Sequence, residues 1–343
     1  MGRILRLLLL AIFCVSSLCL FSVCRHWPGS ETSEPRSFDK GAWDRLKAKA
    51  LRELVVAAEW GTPELIRGEV NSAGWEDSIF ISPDGRNLHF AYFPGDLLGW
   101  ATRGKADPAN MPDFRRGPAR GVEPACSIDI LRSDLVGDRW SAPKPFRYSK
   151  NRTSEGGPMR AGGRWYYQSN QPGTATDHDD DLFVDGRALP INTPANEFDP
   201  HFVVSKHGRE LVFWSDNRPG ALGGKDLWLS TETAGKWAPP KPLPAPVNRA
   251  DSNEWTPHLT NDGRLFFISD RNTKRVSIWE SQRRGKQKWT EPRPVISPAA
   301  DSRCVVAAEP SLTADGKWLY FVVVFMNADG DFDSDVARVR RKK

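Results

Sequence analysis

The sequence predicts an all-β protein: a five-bladed β-propeller closed by an N-terminal strand, preceded by an export or anchor segment and a short amphipathic helix. Three observations carry that expectation. A unit of about 40 to 55 residues recurs five times along the chain. Every unit joins a tight-turn dipeptide to an apolar or aromatic strand. With 14 Trp, 28 Gly and 27 Pro in 343 residues, the composition suits many short strands and turns and argues against a helical bundle.

Each unit opens on a Glu-x-x-Pro box or a variant of it. These are Glu76-Asp77-Ser78-Ile79, Glu155-Gly156-Gly157-Pro158, Glu197-Phe198-Asp199-Pro200 and Glu254-Trp255-Thr256-Pro257. In the fifth, Ala307-Ala308-Glu309-Pro310, the acid has moved two places. A turn follows, as in Pro83-Asp84-Gly85-Arg86, Gly162-Gly163-Arg164 and Asp262-Gly263-Arg264. Asp-Gly and Gly-Gly tolerate positive φ, which tight hairpins need. Next comes a strand such as Trp165-Tyr166-Tyr167 or Leu265-Phe266-Phe267-Ile268, and then a link to a third strand such as Asp226-Leu227-Trp228. Three units close on Trp-x-x-Pro, at Trp140, Trp237 and Trp289. The fifth lacks that exit. Leu65 to Asn71 precedes Glu76 by the same step that Pro190-Ile191-Asn192 precedes Glu197. Residues near 64 to 70 are therefore expected to form the outer strand of the last blade, which removes an exposed edge.

These units resemble the WD-type propeller repeats of the TolB-like family over about residues 64 to 340. The resemblance rests on Ser82-Pro83-Asp84-Gly85-Arg86, on Ser215-Asp216-Asn217-Arg218 with Asp226-Leu227-Trp228, and on Asn261-Asp262-Gly263-Arg264. It implies a propeller in the periplasm or at the cell surface, with binding and scaffolding roles.

Ahead of the repeats, residues 1–24 place Arg3 and Arg6 before an apolar run from Leu7 to Val23, the order of an export signal. Phe21-Ser22-Val23-Cys24 is compatible with lipidation at Cys24, and the run is also long enough to stay as an anchor. Both readings, and ordinary cleavage, stay open. All put the body outside the cytoplasm, tethered to a membrane through the N-terminus in the first two. Residues 25–40 read as a linker and 41–62 as a packing helix carrying Trp43, Leu46, Leu51, Leu54, Val55 and Ala58. The propeller takes 63–343. Only Cys126 and Cys304 lie in the body, and outside the cytoplasm a disulfide between them is a candidate. The net charge of +5 is no larger than the C-terminal cluster Arg338, Arg340, Arg341, Lys342, Lys343, so nucleic acid is not an expected partner.

Topology puts the strand-one starts and the strand-two-to-three links on one face. Three of those links are long or unusual. The first holds Trp100, Arg115 and Arg116 as candidate ligand contacts. The second holds Asp177, His178 and Asp179, and the fifth holds Asp329, Asp331 and Asp333. These acids suit a divalent cation such as calcium, or a solvated acidic turn. His201 and His258 occupy equivalent places and are further ligand candidates. Glu155, Glu197 and Glu254 are the catalytic candidates if the chain is an enzyme, yet a carboxylate repeated in every unit more often serves construction. No nucleophile elbow, phosphate loop, zinc-protease helix or dinucleotide fingerprint is present. The leading expectation is an exported, membrane-tethered propeller that binds an envelope protein or glycan on the long-loop face without catalysis. The alternative is a carbohydrate-active hydrolase with carboxylates at the central pocket.

Overall fold

Apolar strands separated by tight turns can bury their faces only by pairing and stacking, and each repeat does so as an antiparallel meander. The computed structural model describes residues 39–99, 128–148, 153–171, 180–271 and 275–342. Helix α1 (Lys40–Arg52) comes first, then β1 (Leu54–Val56) and β2 (Glu64–Leu65). The first repeat holds β3 (Trp75–Ile81), β4 (Asn87–Phe93), β5 (Asp129–Val136), β6 (Arg139–Trp140) and β7 (Lys144–Pro145). The second holds β8 (Glu155–Ala161), β9 (Arg164–Ser169), β10 (Asp181–Val184) and β11 (Arg187–Ala188). The third holds β12 (Glu197–Ser205), β13 (Gly208–Asp216), β14 (Lys225–Thr233), β15 (Lys236–Trp237) and β16 (Lys241–Pro242). The fourth holds β17 (Glu254–Leu259), β18 (Arg264–Ser269), β19 (Ser277–Gly285), β20 (Lys288–Trp289) and β21 (Arg293–Pro298). The fifth holds β22 (Cys304–Leu312), β23 (Trp318–Met326) and β24 (Phe332–Arg340). The chain is mostly β and its sheets are of propeller type.

The early strand zips onto the end of the chain. β2 pairs antiparallel with β24, Glu64 opposite Arg338 and Leu65 opposite Ala337. Asn71 then clamps the same strand, its side chain donating to the Val336 carbonyl at 3.0 Å and accepting from the Val336 N–H at 2.8 Å. Asn192 grips Leu182 of β10 in the same two-way manner, and Asn248 grips Leu227 of β14. The last and first repeats also share a sheet through a parallel pair, Ser334 with Trp75.

Helix α1 is shorter than the 41–62 expected. Asp39 caps it, accepting from the Ala42 N–H at 2.9 Å, and it stops at Arg52. The β-branched pair Val55-Val56 favours extended backbone. Leu54 lies opposite Pro298 and Val56 opposite Ile296, so this stretch adds an edge strand to the fourth repeat.

One irregularity recurs in all five repeats. The first strand of each slips register, between Asp77 and Phe80, Gly156 and Met159, Phe198 and His201, Trp255 and His258, and Ala308 and Ser311. At the slip stands a residue with positive φ: Ser78, Gly157, Asp199, Thr256 or Glu309. Such a bulge re-aims one side chain per strand. A left-handed backbone is costly for non-glycine residues, and strain of this kind concentrates at functional sites.

Candidate active site

The repeated Glu residues of the first four repeats occupy equivalent, hydroxyl-anchored positions. Glu76, Glu155, Glu197 and Glu254 are all but fully buried at the start of their strands. A hydroxyl donates to each, from Ser72, Thr153, Thr193 and Ser252. Arg218 reaches Glu197 at 2.8 Å, and Arg271 reaches Glu254 at 2.8 Å. The Ser-Asp-x-Arg segments thus supply the counter-charges of the Glu boxes in repeats three and four. A carboxylate held by a hydroxyl and a guanidinium has little freedom to move a proton. Glu197 and Glu254 do not line the central cavity, whereas Glu155 does.

The chemistry collects one step further along, at the bulges. A cavity of about 130 Å³ opens between the first strands. Its lining combines residues at the strand starts, such as Trp75 and Asp77, with residues of the second-to-third-strand links, such as Leu97, Leu98, Ile128 and Val276. It therefore lies on the long-loop face, as the topology predicted. Asp77, Asp199 and Glu309 all line it. Sequence reasoning passed over Asp77, and it took Glu309 for a displaced member of the Glu ring. A signal was available: the third box position reads Ser, Gly, Asp, Thr, Glu, and varies where its neighbours repeat.

These three carboxyls are held at different protonation levels. Each keeps some surface in the cavity, but protein encloses it on all sides, so burial is the largest influence on all three. Glu309 lies well above the usual carboxylate range, through burial and then the charges of Asp199 and Asp77. It holds its proton and donates it to Asp77. Burial also raises Asp77, against donors from the Ser78 N–H at 2.9 Å and the Trp75 indole at 3.2 Å. Asp199 is pushed up to about 7 by burial and by the charge of Asp77, opposed by the Trp214 indole, which donates at 2.7 Å. Gln168 accepts from the Asp199 N–H at 2.7 Å, and Phe198 stacks on Trp214 at 4.3 Å. Gly157 makes room for this arrangement. A Cβ there would sit 2.8 Å from both the Cα and Oδ1 of Asp199.

Beneath the bulges lies a second, smaller cavity of about 30 Å³ that shares Ser78, Asp199, Thr256 and Glu309 with the first. His201 and His258 face it, two residues beyond their bulges, with rings 4.3 Å apart. Burial holds both neutral, His201 down to about 4. The structure therefore places them behind the carboxyls, away from the long-loop side.

The other sequence candidates are dispersed. Asp329 is exposed, Asp331 accepts from the Asn327 side chain at 3.0 Å, and Asp333 is buried. The cation beside Asp333 is Lys47 of α1, whose ammonium lies 2.7 Å from both Asp333 and Asp335. Among the described residues no group of three His, Cys, Asp or Glu converges as metal ligands. The Cys304 thiol is buried and donates to the Val306 carbonyl at 3.3 Å. Its expected partner Cys126 lies outside the described residues, as do Cys24, Trp100, Arg115, Arg116, Asp177, His178 and Asp179.

No family model and no curated protein matches this chain. Solved structures do share its fold. One described as a glycoside hydrolase is 12% identical, with a TM-score of 0.51, and the match covers 88% of this chain and 96% of the other. A thermostable family-43 glycoside hydrolase is 11% identical, with a TM-score of 0.50, over 81% and 96% of the two chains. At such identity the likeness is one of fold. The solved structures that share the fold are described as glycoside hydrolases, which goes against the expectation of a binding propeller without catalysis.

Proposed function

We propose that this chain is a glycoside hydrolase whose five blades surround the cavity and whose chemistry belongs to Asp77, Asp199 and Glu309. One observation carries the reading: three carboxyl-bearing residues line one cavity, and burial raises the proton affinity of all three. Glu309 enters the reaction protonated and serves as the general acid. It gives its proton to the glycosidic oxygen as the bond from the anomeric carbon to that oxygen breaks. Asp199, on the third blade across from the fifth, takes a proton from the water that adds to the anomeric carbon. Asp77 accepts the hydrogen bond of Glu309 before substrate enters, and its charge keeps Glu309 protonated until the proton swings to the glycosidic oxygen. Trp75, Phe198, Trp214 and Trp255 offer apolar faces to a sugar ring. An exported, membrane-tethered location goes with this reading and is supported by the basic-then-apolar order of residues 1–24.

The test is a panel of aryl glycosides offered to the full-length chain. At least one is expected to be cleaved. Glu309→Gln and Asp199→Asn should each lower turnover by about 10²- to 10⁴-fold while leaving the melting temperature in place. Full turnover in Glu309→Gln would remove the acid from the scheme and the proposal with it.

A further inference from the structure

The side of the molecule away from the cavity carries a repeated feature that neither packing nor the proposed reaction uses. Successive strands of each meander run antiparallel, so the turns between strands one and two, and between strands three and four, fall at the ends opposite the long links. Neighbouring turns touch across repeats and so share one face. The Ala314 N–H donates to the Pro83 carbonyl at 3.0 Å, and Arg283 reaches Glu210 at 2.8 Å.

In repeats one to four, the residue that leaves the turn after strand three is a cation. These are Arg139, Arg187, Lys236 and Lys288, the first residues of β6, β11, β15 and β20. All four are exposed. The acids of the same turns are taken up by other cations: Asp138 by Arg67 at 3.2 Å, Asp185 by Arg164 at 3.1 Å and Glu232 by Arg209 at 2.6 Å. Lys206 and Lys286 add to this face, and β24 ends on it with Arg340, followed by Arg341 and Lys342, all exposed. A cation repeated for packing is buried and paired, as Arg218 and Arg271 are. Those of this face are held out to solvent.

Their distribution selects the partner. They are spread over all five repeats, and none lines either cavity. A broad array of Lys and Arg suits a broad anionic surface, which needs no shaped pocket. The N-terminal sequence brings such a surface close, since Arg3, Arg6 and the apolar run from Leu7 to Val23 have the order of a membrane segment. Residues 25–38 can span at most about 50 Å. A strand of nine residues such as β13 is about 30 Å long, so a tether of that reach lets either face meet the bilayer.

We infer that this basic face rests on a bilayer containing anionic phospholipid, which turns the cavity away from the membrane. The inference stands on the charged face. It takes the membrane-tethered location from the reading proposed above and does not depend on hydrolysis.

Lysine acetylation read by mass spectrometry tests it, on the full-length chain mixed with phosphatidylcholine vesicles or with vesicles in which about a third of the lipid is phosphatidylglycerol. Lys206, Lys236, Lys286 and Lys288 are expected to label about threefold more slowly on the anionic vesicles, and Lys40 and Lys49 of α1 equally on both. The protection should disappear in about 0.5 M salt, where the screening length falls to about 4 Å. Lys286→Glu combined with Lys288→Glu, outside both cavities, should remove most of the protection at Lys206 and Lys236. Equal labelling on the two kinds of vesicle, or protection of Lys40 and Lys49 instead, would overturn the inference and leave the tether standing. Stronger protection of the same lysines by duplex DNA than by anionic vesicles would overturn it too, by assigning the face to nucleic acid. Sedimentation with the anionic vesicles alone, with the four lysines protected, would keep the docking face and remove the tether. Sedimentation with neither kind of vesicle would remove both.

Discussion

Lys47 is the one buried cation that α1 contributes to the repeats, and removing it should be severe. Its ammonium sits 2.7 Å from Asp333 and 2.7 Å from Asp335, both side chains at most 2% exposed. Glu76, fully buried nearby, adds a third acid whose proton affinity is raised by burial and then by Asp335. One ammonium cannot balance this group. Asp333 is accordingly pushed up to about 8, first by burial and then by Asp335, and Asp335 is raised by burial against the pull of Lys47. Lys47→Met keeps the side-chain bulk but leaves the carboxyls unpaired, which costs about 3 kcal/mol or more. That corresponds to a fall of about 4 °C or more in melting temperature for a chain of 343 residues. The sign of the pH dependence follows from the raised carboxyls. Protonated in the folded state, they favour folding below the ordinary carboxylate range, and that contribution is lost as pH rises through about 8. Lys47 itself is raised, so it stays charged throughout this window. The gap between variant and parent, followed by thermal melts from pH 5 to pH 10, should therefore be smallest in acid and open mainly as pH rises toward and past about 8, where the parent's Asp333 ionises beside Lys47. Adding Asp333→Asn and Asp335→Asn to Lys47→Met should recover much of the loss. A gap that does not change with pH, or no gap at pH 10, would refute this account of the buried cluster.

Two further outcomes are expected. Asn71→Ala removes both hydrogen bonds to Val336 and should cost about 1–3 kcal/mol in urea unfolding, because it loosens the join between β2 and β24. An unchanged midpoint would show that the join does not depend on this clamp. Gly157→Ala places a methyl group 2.8 Å from Asp199 at a φ of 54°, so it should displace that carboxyl and lower turnover by about 10²-fold. Turnover equal to the parent's would mean that the position of Asp199 is not critical.

Much of the architecture was legible in the sequence because it is written in residues that repeat. The Glu boxes, the Asp-Gly turns and the aromatic strands do the same job in successive repeats, so their spacing shows them. Ring closure was legible for the same reason: Val70-Asn71 resembles Ile191-Asn192 and Val247-Asn248, and all three Asn residues clamp a third strand. The end of α1 was not legible. Residues 53–58 have apolar spacing that suits a helix, and only the free edge of β21 made them extended.

The candidate site divides along the same line. Repetition by itself determined which carboxylates build the blades, since a group needed in every repeat is needed for packing. It also determined the face on which long links gather. Only the tertiary structure decided where chemistry sits. The bulge at the third box position brings Ser78, Asp199, Thr256 and Glu309 to the cavity, two of them acids, and the acid Asp77 lies beside Ser78. Asp77 and Glu309 are 232 positions apart along the chain and share one proton, a contact that exists only because the last repeat closes against the first. Likewise the partner of Asp333 is an ammonium on the N-terminal helix, because burying a carboxylate in low dielectric requires a counter-charge that its own loop does not carry.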